Sequence, residues 1–361
     1  MSNNNFEIIN ARVTFKNMPI YKIEKFSFKD ITSAYEAFKK ISNVSECLII
    51  QNAFRVEVFF VVNLETGEIP DVRRTEGRTL TLNKIEETWE SLTELEVHDL
   101  DHFDQTLEVY KNTDVYHHLL RLATGLDSII VGRKEILDEI KDSISSAKQA
   151  QVFGKILDKL FESSIRIATK IRDSTGIGKE IISIGDIAIK TTEEKTGVDG
   201  KHVLLIGTGE TAAMVAKSLN QKNYAFDVTS RTIERATSFS KLLGGTPLKF
   251  EDVLAGFDKF DIIFVATTAD YFLINYDILR IVMENKKKGT LLIDVSDPRA
   301  VDEKVSKFPG MKLMFRDQIS ELVEENEQTR MNKIPDVEKM ISKEVPIIEA
   351  LMKRLDPELL A

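Results

Sequence analysis

The fold of the second half of the chain is indicated by the stretch from Lys201 to Ala212, Lys-His-Val-Leu-Leu-Ile-Gly-Thr-Gly-Glu-Thr-Ala. A short β-branched and leucine run meets a glycine turn, and an alanine-rich segment with helical character follows as far as Leu219. Strand, glycine turn and helix in this order form the context that a dinucleotide-binding fingerprint requires. The first glycine permits a tight turn, and the second lets a pyrophosphate approach the backbone at a helix N-terminus. We therefore predict cofactor contacts from Gly207, Thr208, Gly209, Glu210, Thr211 and Ala212.

The end of the next apolar run indicates which dinucleotide is bound. Asp227–Thr229 leads into hydroxyl and guanidinium side chains, whereas an NAD site usually presents a carboxylate to the ribose hydroxyls. A guanidinium can bind a phosphate through two hydrogen bonds, and hydroxyls can donate to it. The pattern favours NADP(H), with Ser230, Arg231 and Thr232 as ligands. The alternative is that Arg231 merely begins a surface helix with Glu234 and Arg235.

Further short apolar runs at 226–229, 262–266 and 290–295 are separated by stretches with helical spacing. Alternation of this kind predicts a parallel sheet with helices on both faces, as in a Rossmann domain. Residues 266–269, Ala-Thr-Thr-Ala, follow one of these runs. They are a secondary candidate for cofactor contacts, because ligands bind at the carboxyl ends of such strands.

The length of 361 residues predicts more than one domain, because single cores seldom grow past about 250 residues. We predict an α/β multidomain protein with an N-terminal α+β domain over 1–150 and a connecting helix and hinge over 151–180. The NADP-binding Rossmann domain is predicted over 181–312, and a C-terminal helical segment over 313–361. In the first domain, residues 6–14 favour a strand, 27–41 a helix, and 47–62 a strand that is broken near Ala53. In the last segment, Pro335 and Pro346 predict kinks or helix restarts.

Composition limits the class of protein. The net charge of −9 argues against a bulk electrostatic binder of nucleic acid. Local basic faces at 286–288 and 170–172 are candidates for RNA contact, and ordinary solvated lysines are the alternative explanation. The chain has one cysteine and five histidines, so we expect neither a disulfide framework nor a metal site. It has no apolar run of the roughly 18 residues that span a bilayer and no signal-like start, and we expect a cytoplasmic location.

A second informative stretch runs from Cys47 to Phe59, Cys-Leu-Ile-Ile-Gln-Asn-Ala-Phe-Arg-Val-Glu-Val-Phe. It resembles the signature of glutamyl-tRNA reductases, in which an apolar strand runs into Thr-Cys-Asn-Arg and then Val-Glu-Val-Tyr. Here Asn52, Ala53, Phe54 and Arg55 fill the four places. Other blocks that resemble this family cover nearly the whole chain in the same order: Val13–Ile20, His118–Gly132, Ser174–Lys179, Thr229–Thr232, Asp294–Arg299 and Val323–Asn326. The chain is identified as a divergent member of the family.

The resemblance implies an activity. In this family a cysteine attacks the ester that links glutamate to its tRNA, a thioester forms, and NADPH delivers hydride to release glutamate-1-semialdehyde for tetrapyrrole (porphyrin) biosynthesis. By position, residues 1–150 form the catalytic-type domain, in which Arg55 binds the glutamate carboxylate, His118 assists acid/base or orienting work, and Ser128 contacts the substrate. The implied partners are glutamyl-tRNA, a second copy in a homodimer and the downstream aminomutase, with no membrane. Because the chain stops at Ala361, the family's dimerisation domain is expected to be truncated.

The chain also departs from the family pattern. Ala53 occupies the place of the nucleophile and cannot attack an ester, and Phe15 stands where a histidine is usual. The family's Gly-Glu-Pro-Gln-Ile-Leu becomes Gly-Arg-Lys-Glu-Ile-Leu over 132–137, and the next glutamine becomes Glu139. We therefore predict a remodelled pocket lined by Asn52, Phe54, Arg55, Ser128, Arg133, Lys134, Glu135 and Glu139.

Three functions follow from this combination. One is an NADPH-dependent glutamyl-tRNA reductase that acts without the usual thiol. The second is a catalytically inactive homologue that retains NADP binding and has a regulatory, RNA-binding or partner-binding role. The third is an NADP-dependent reductase of another anionic substrate, which Arg133 and Lys134 would suit. Cys47 lies among apolar neighbours and is predicted to be a buried structural thiol.

Overall fold

A computed structural model describes residues 6–64, 79–95, 103–133, 135–179, 182–283, 289–319 and 321–355. The chain forms two compact units. Unit 1 comprises Met1–Met18, Lys25–Lys179 and Arg330–Ala361, and unit 2 comprises Pro19–Glu24 and Glu180–Thr329. The C-terminal residues therefore belong to the same unit as the N-terminal ones.

The strands, in chain order, are β1 (Phe6–Thr14), β2 (Val44–Asn52), β3 (Arg55–Asn63), β4 (Glu108–Lys111), β5 (Val203–Ile206), β6 (Asp227–Thr229), β7 (Thr246–Leu248), β8 (Ile262–Val265), β9 (Thr290–Asp294) and β10 (Met311–Phe315). The helices are α1 (Ile20–Ile23), α2 (Ile31–Lys39), α3 (Leu80–Ser91), α4 (Phe103–Thr106), α5 (Thr113–Thr124), α6 (Glu135–Gln149), α7 (Lys155–Thr175), α8 (Ile184–Thr196), α9 (Glu210–Gln221), α10 (Ile233–Leu243), α11 (Phe250–Ala255), α12 (Tyr276–Met283) and α13 (Glu321–Lys353).

Unit 1 is built on a four-stranded antiparallel sheet in the order β2-β3-β1-β4. The predicted strand over 47–62 is in fact two strands, because the expected break at Ala53 is the tip of the β2–β3 hairpin. The Asn52 side chain accepts a hydrogen bond from the Phe54 backbone N–H at 2.8 Å, which closes this turn. The helix expected over 27–41 starts only at Ile31, since the Asp30 carboxylate accepts from the Thr32 N–H and caps it.

Helix α13 runs without a break through Pro335 and Pro346, so of the predicted kinks or helix restarts the restarts do not occur. Each proline removes the hydrogen bond to the carbonyl four residues earlier, at Met331 and Ser342. Both of these residues are exposed, and water can satisfy the freed carbonyl groups. Buried apolar side chains recur along the part of the helix in unit 1 with helical spacing: Val337, Ile341, Val345, Ile348 and Met352.

Unit 2 contains a six-stranded parallel sheet in the order β10-β9-β8-β5-β6-β7. This confirms the parallel Rossmann-like sheet that the sequence predicts. Helices connect successive strands, and a core that includes Leu204, Ile206, Phe257 and Ile263 is completely or almost completely buried. The strand order reverses at β5, between β6 and β8, which opens a crevice at the carboxyl ends of these strands.

A close backbone approach fixes the loop after α5 in unit 1. Gly132 has a positive φ of 87°, and a Cβ at this position would overlap the carbonyl oxygen of Ile177. The Arg172 guanidinium donates to the carbonyl oxygens of Thr124 at 2.7 Å and Gly132 at 2.6 Å. The loop that carries several predicted pocket residues is therefore attached to the end of α7.

We predict that Gly132→Ala destabilises unit 1 by more than about 2 kcal/mol, because it combines backbone strain with a steric overlap. Gly176→Ala is the matched control, since Gly176 also has a positive φ, of 63°, but a Cβ there meets nothing closer than 3.5 Å. This control should lose only about 1 kcal/mol. Urea unfolding followed by circular dichroism measures both, and equal losses would contradict the steric explanation.

Candidate functional site

The glycine turn after β5 lies at the carboxyl edge of the parallel sheet. Gly207 has a φ of 130°, and a Cβ there would overlap the carbonyl oxygen of Ala266 at the end of β8. Its N–H donates to the Thr229 carbonyl at 2.9 Å, at the end of β6. Only glycine fits at this position. The turn therefore brings the ends of three neighbouring strands together.

The next glycine leaves room for a ligand. Gly209 precedes α9, and a Cβ there would have open space for 4 Å around it. The N–H groups in the first turn of α9 have no partner within the helix, and the helix dipole favours an anion there. Glu210 and Thr211 begin the helix on its outer side, and Ala212 is completely buried. These residues fit a dinucleotide pyrophosphate, as the sequence predicts.

The residues predicted to select the cofactor lie beside this turn. Ser230 is buried, and its hydroxyl is 3.2 Å from that of Thr208, so β6 and the glycine turn are linked directly. Thr232 caps α10 by accepting from the Arg235 N–H. Arg231 is exposed and precedes the helix, and within the described residues its side chain has no ion-pair partner. A cation is thus available next to the turn.

The secondary candidate, residues 266–269, is held to the next strand. The Thr267 N–H donates to the Ser296 hydroxyl at 3.0 Å, and Ser296 in turn donates to the Val265 carbonyl. Asp294 is completely buried and accepts from the N–H groups of Ala300 and Val301. Burial raises the pKa of Asp294 despite these hydrogen bonds. The block 294–301 therefore fixes the loop that follows β8.

A second cluster, in unit 1, is centred on the buried carboxylate of Asp127. Its Oδ1 accepts from Lys16 Nζ at 2.5 Å and from Arg121 Nη2 at 3.0 Å. Its backbone carbonyl accepts from the guanidinium of Arg55, and its Oδ2 lies 3.2 Å from Nδ1 of His118. Burial alone would raise the pKa of Asp127, but hydrogen bonds and positive charge from His118 and Lys16 lower it well below the usual range. Asp127 is the group at which these side chains meet.

His118 is held on both ring nitrogens and is 2% exposed. Its Nε2 lies 2.6 Å from Glu57 Oε2, and a carboxylate can only accept, so Nε2 carries a proton. Its Nδ1 lies 2.7 Å from Arg12 Nη1 and 3.2 Å from Asp127 Oδ2, so this nitrogen faces both a donor and an acceptor. With both nitrogens engaged, this side chain orients its neighbours.

Arg55, predicted to bind a carboxylate, forms a buried ion pair with Glu57. Arg55 Nη1 lies 2.8 Å from Glu57 Oε1, and the side chains are 3% and 0% exposed. Burial alone would raise the pKa of Glu57, but the contacts with His118, Arg55 and Arg12 lower it to about 2. A ligand carboxylate would have to compete with these internal partners. Lys16 and Arg121, with 44% and 26% of their side chains exposed, are more accessible cations.

The hairpin tip brings the unusual residues together in pairs. Asn52 Nδ2 donates to Glu139 Oε2 at 2.5 Å, so two of the departures from the family pattern contact each other. The ring of Phe54 packs edge-on against that of Phe15, with the ring centroids 6.4 Å apart, so two further departures from the family pattern also contact each other. Ala53 lies between them and is 9% exposed. Ala53, the position predicted for the family's nucleophile, is therefore flanked by departures from the family pattern that contact one another.

The remaining predicted pocket residues are less closely connected. Ser128, which follows Asp127, is half-buried, and Arg133 is half-buried with its Nε 3.9 Å from Glu135 Oε1. Glu135 is exposed at the start of α6, and Lys134 lies outside the described residues. The same is true of the basic run at 286–288.

The sequence did not single out Arg12, Lys16, Glu57, Arg121 and Asp127 as site residues. One signal was available: Arg12 interrupts an apolar strand, and a charged residue at such a position is rarely buried without a partner. Arg12 and Glu57 are brought together by the pairing of β1 with β3, and Lys16 reaches Asp127 across the chain, and no local pattern reveals either contact.

Cys47 is completely buried in β2, and burial raises the pKa of its thiol well above the usual value. Such a thiol is a poor nucleophile. Among the residues that the structure describes, no group of His, Cys, Asp and Glu is arranged to hold a metal ion. None of the helices in the described part of the chain is both long and apolar enough to cross a membrane.

Comparisons with known proteins cover both units. The family model for the N-terminal domain of glutamyl-tRNA(Glu) reductase matches residues 11–175, and the model for shikimate/quinate 5-dehydrogenase matches residues 188–340. The glutamyl-tRNA reductase of Cenarchaeum symbiosum is 43% identical over 98% of this chain and 81% of its own length. That of Methanococcus aeolicus is 31% identical over 95% and 79%. The second match, together with the glycine turn, implies a nicotinamide cofactor for unit 2.

A solved structure agrees with these matches. Glutamyl-tRNA reductase from Methanopyrus kandleri superimposes with a TM-score of 0.50 and 26% identity, over 96% of this chain and 81% of that one. The similarity extends through both the mixed N-terminal part and the parallel sheet.

We predict that the Glu57 carboxylate makes unit 1 sensitive to acid. Because the folded-state pKa is lowered from 4.5 to about 2, its stabilising effect is fully present above about pH 4.5 and is lost as the pH falls towards 2. This change amounts to about 3 kcal/mol. Glu57→Gln should flatten the dependence of unfolding free energy on pH between 5 and 2. Glu162→Gln is the control, because that side chain is 68% exposed, and it should leave the pH dependence unchanged. Equal slopes of unfolding free energy against pH in Glu57→Gln and in the unmodified chain would contradict the lowered pKa of Glu57.

Proposed function

The chain belongs to the glutamyl-tRNA reductase family, and from that premise we propose that it reduces the glutamyl ester of tRNA to glutamate-1-semialdehyde with NADPH. The observation that carries the proposal is the cluster of Arg55, Glu57, His118 and Asp127 directly beside the hairpin tip at Ala53. We assign substrate binding to residues 1–150 and cofactor binding to residues 181–312. The connecting segment 151–180 and the helical segment 313–361 complete this division.

The reaction must proceed without a cysteine adduct. Ala53 offers only a methyl group, and Cys47 is completely buried with a raised pKa. NADPH, when bound, supplies a hydride. Addition of hydride to the ester carbonyl forms a C–H bond at the acyl carbon. The C–O bond to the tRNA ribose then breaks, and one proton from solvent neutralises the ribose oxygen as it leaves. The balance is one NADPH and one proton consumed for one semialdehyde, one free tRNA and one NADP⁺.

The residues of unit 1 contribute by binding and orientation. Lys16 and Arg121 present partly exposed positive charge beside Asp127, which suits the carboxylate of a glutamyl group. Ser128 follows Asp127 and is half-buried, so its hydroxyl is available as a further contact. His118 and Arg55 hold the strand end and the loop in place around the acyl group. In this proposal, the rate of reduction depends on how precisely these residues position the ester carbonyl.

For unit 2 we propose NADP(H) rather than NAD(H). The exposed guanidinium of Arg231 and the hydroxyls of Ser230 and Thr232 suit a ribose 2′-phosphate, and β6 ends in no carboxylate there. The glycine turn and the start of α9 would hold the pyrophosphate.

The family also supports three further proposals. The product would enter tetrapyrrole synthesis, and the aminomutase that consumes the semialdehyde is the expected partner. A homodimer is the expected assembly. Because charged tRNA is found where translation occurs, the cytoplasm is the proposed location.

We predict that the unmodified chain releases semialdehyde from glutamyl-tRNA and NADPH, and that iodoacetamide does not inhibit it, since Cys47 is buried. Cys47→Ala should be equally active, while Ala53→Cys should become sensitive to iodoacetamide. Aldehyde trapping and NADPH absorbance measure these outcomes. If the unmodified chain binds NADPH but yields no aldehyde, the proposed reaction is refuted, and the inactive homologue and the reductase of another anionic substrate are the alternatives left.

We also predict that Arg231→Ala weakens NADPH binding about 10- to 100-fold, the size of a lost charged hydrogen bond, and leaves NADH binding unchanged. Arg235→Ala is the matched control, because that guanidinium lies over the ring of Tyr21, 4.3 Å from its centre. Fluorescence titration with both cofactors measures the effect. A similar loss for NADPH and NADH would refute the phosphate contact.

A further inference from the structure

The C-terminal helix contributes a charged group to the cluster around Asp127. The carboxylate of Glu338, on α13, contacts the Arg121 guanidinium through Nη1. The other two nitrogens of Arg121, Nε and Nη2, donate to Asp127 Oδ1 at 3.2 and 3.0 Å. Arg121 is therefore held between two carboxylates, one from the loop after α5 and one from the distant C-terminal helix.

Arg121 is the main partner of Glu338 at this position. His117 Nε2 lies 3.7 Å from the other carboxylate oxygen, which is too long for a hydrogen bond. Burial and the neighbouring Arg121 lower the pKa of His117, which weakens its attraction further. The influence of Glu338 on the cluster must therefore pass through Arg121.

Other contacts dock α13 on unit 1. Lys333 Nζ donates to the Gly176 carbonyl at 2.9 Å, and Ser174 Oγ lies 3.6 Å from the sulfur of Met340. The buried stripe from Val337 to Met352 adds apolar contact area. The helix therefore has several docking contacts on unit 1 besides that of Glu338.

We propose that Glu338 is a positioning residue of the substrate pocket: it fixes the Arg121 guanidinium, and through it the orientations of Asp127 and His118. The expected effect on turnover rests on the proposed function, whereas the expected effect on the positions of Arg121, Asp127 and His118 does not. The Nε and Nη2 donors of Arg121 lie in one plane and meet at Asp127 Oδ1, so they restrain the direction of this carboxylate. Without Glu338, Arg121 can rotate away from this geometry, and the Asp127 oxygen that faces His118 loses its fixed direction. The accessible cation predicted to meet the substrate carboxylate moves with it.

The test compares Glu338→Gln, Arg121→Gln and the double variant in the full chain. Glu349→Gln is the matched control. It removes an ion pair on the same helix, in which Lys353 Nζ lies 2.6 Å from Glu349 Oε1, and this pair is remote from Asp127. The first readout is the nitrogen NMR spectrum of ¹⁵N-labelled histidine. With only five histidines in the chain, the His118 signals can be assigned by His118→Asn. The second readout is kcat/KM for glutamyl-tRNA.

We expect Glu338→Gln to shift the His118 signals and to lower kcat/KM about tenfold, a typical coupling for contacting charges. In the Arg121→Gln background, Glu338→Gln should add nothing, and Glu349→Gln should change neither readout. Unchanged His118 signals in Glu338→Gln, or effects of the two substitutions that add, would overturn the proposal. If the chain reduces no glutamyl-tRNA at all, the NMR comparison still decides the positioning role, so the two failures are distinguishable.

Discussion

The buried carboxylate of Asp127 is the interaction on which the architecture of unit 1 depends. It joins the loop after α5 to Lys16 beyond β1 and, through Arg121, to α13, and the backbone carbonyl of the same residue accepts from Arg55 at the start of β3. A buried charge is tolerable only with such partners, and removal of one leaves the others uncompensated. The same contacts therefore stabilise the fold and define the geometry of the pocket.

The contacts around Ala53 bear on whether its substitution indicates a loss of activity. A lone loss of the nucleophile in an otherwise intact pocket would indicate a decayed enzyme. Instead Asn52 contacts Glu139, and Phe54 contacts Phe15, so four neighbouring departures form two packed pairs around Ala53. Replacements that fit one another indicate a pocket rebuilt as a whole. Arg55, Glu57, His118 and Asp127 contact one another in the same unit, which supports the proposed reduction by a route without a thioester.

The sequence predicts the parallel sheet and its glycine turn well, because strand, turn and helix are adjacent in the chain and each has a local signature. It predicts the substrate side less well. The break at Ala53 is recognisable, but the hairpin pairing is not, and the contacts of Arg12 with His118 and of Lys16 with Asp127 join segments that are distant in the chain. The continuity of α13 was missed, since the local effect of proline is outweighed where the freed carbonyls face solvent. The contact of Glu338 with Arg121 has no local signature at all.

In the proposed reaction, hydride reaches the ester directly, without a glutamyl group bound to the protein. The decisive experiment is a single turnover with radiolabelled glutamyl-tRNA and deuterated NADPH, quenched in acid and resolved by intact-protein mass spectrometry. Direct hydride transfer predicts deuterated semialdehyde, with no label and no added mass on the protein at any time. A glutamyl adduct on the unmodified chain that forms before the aldehyde appears would contradict it.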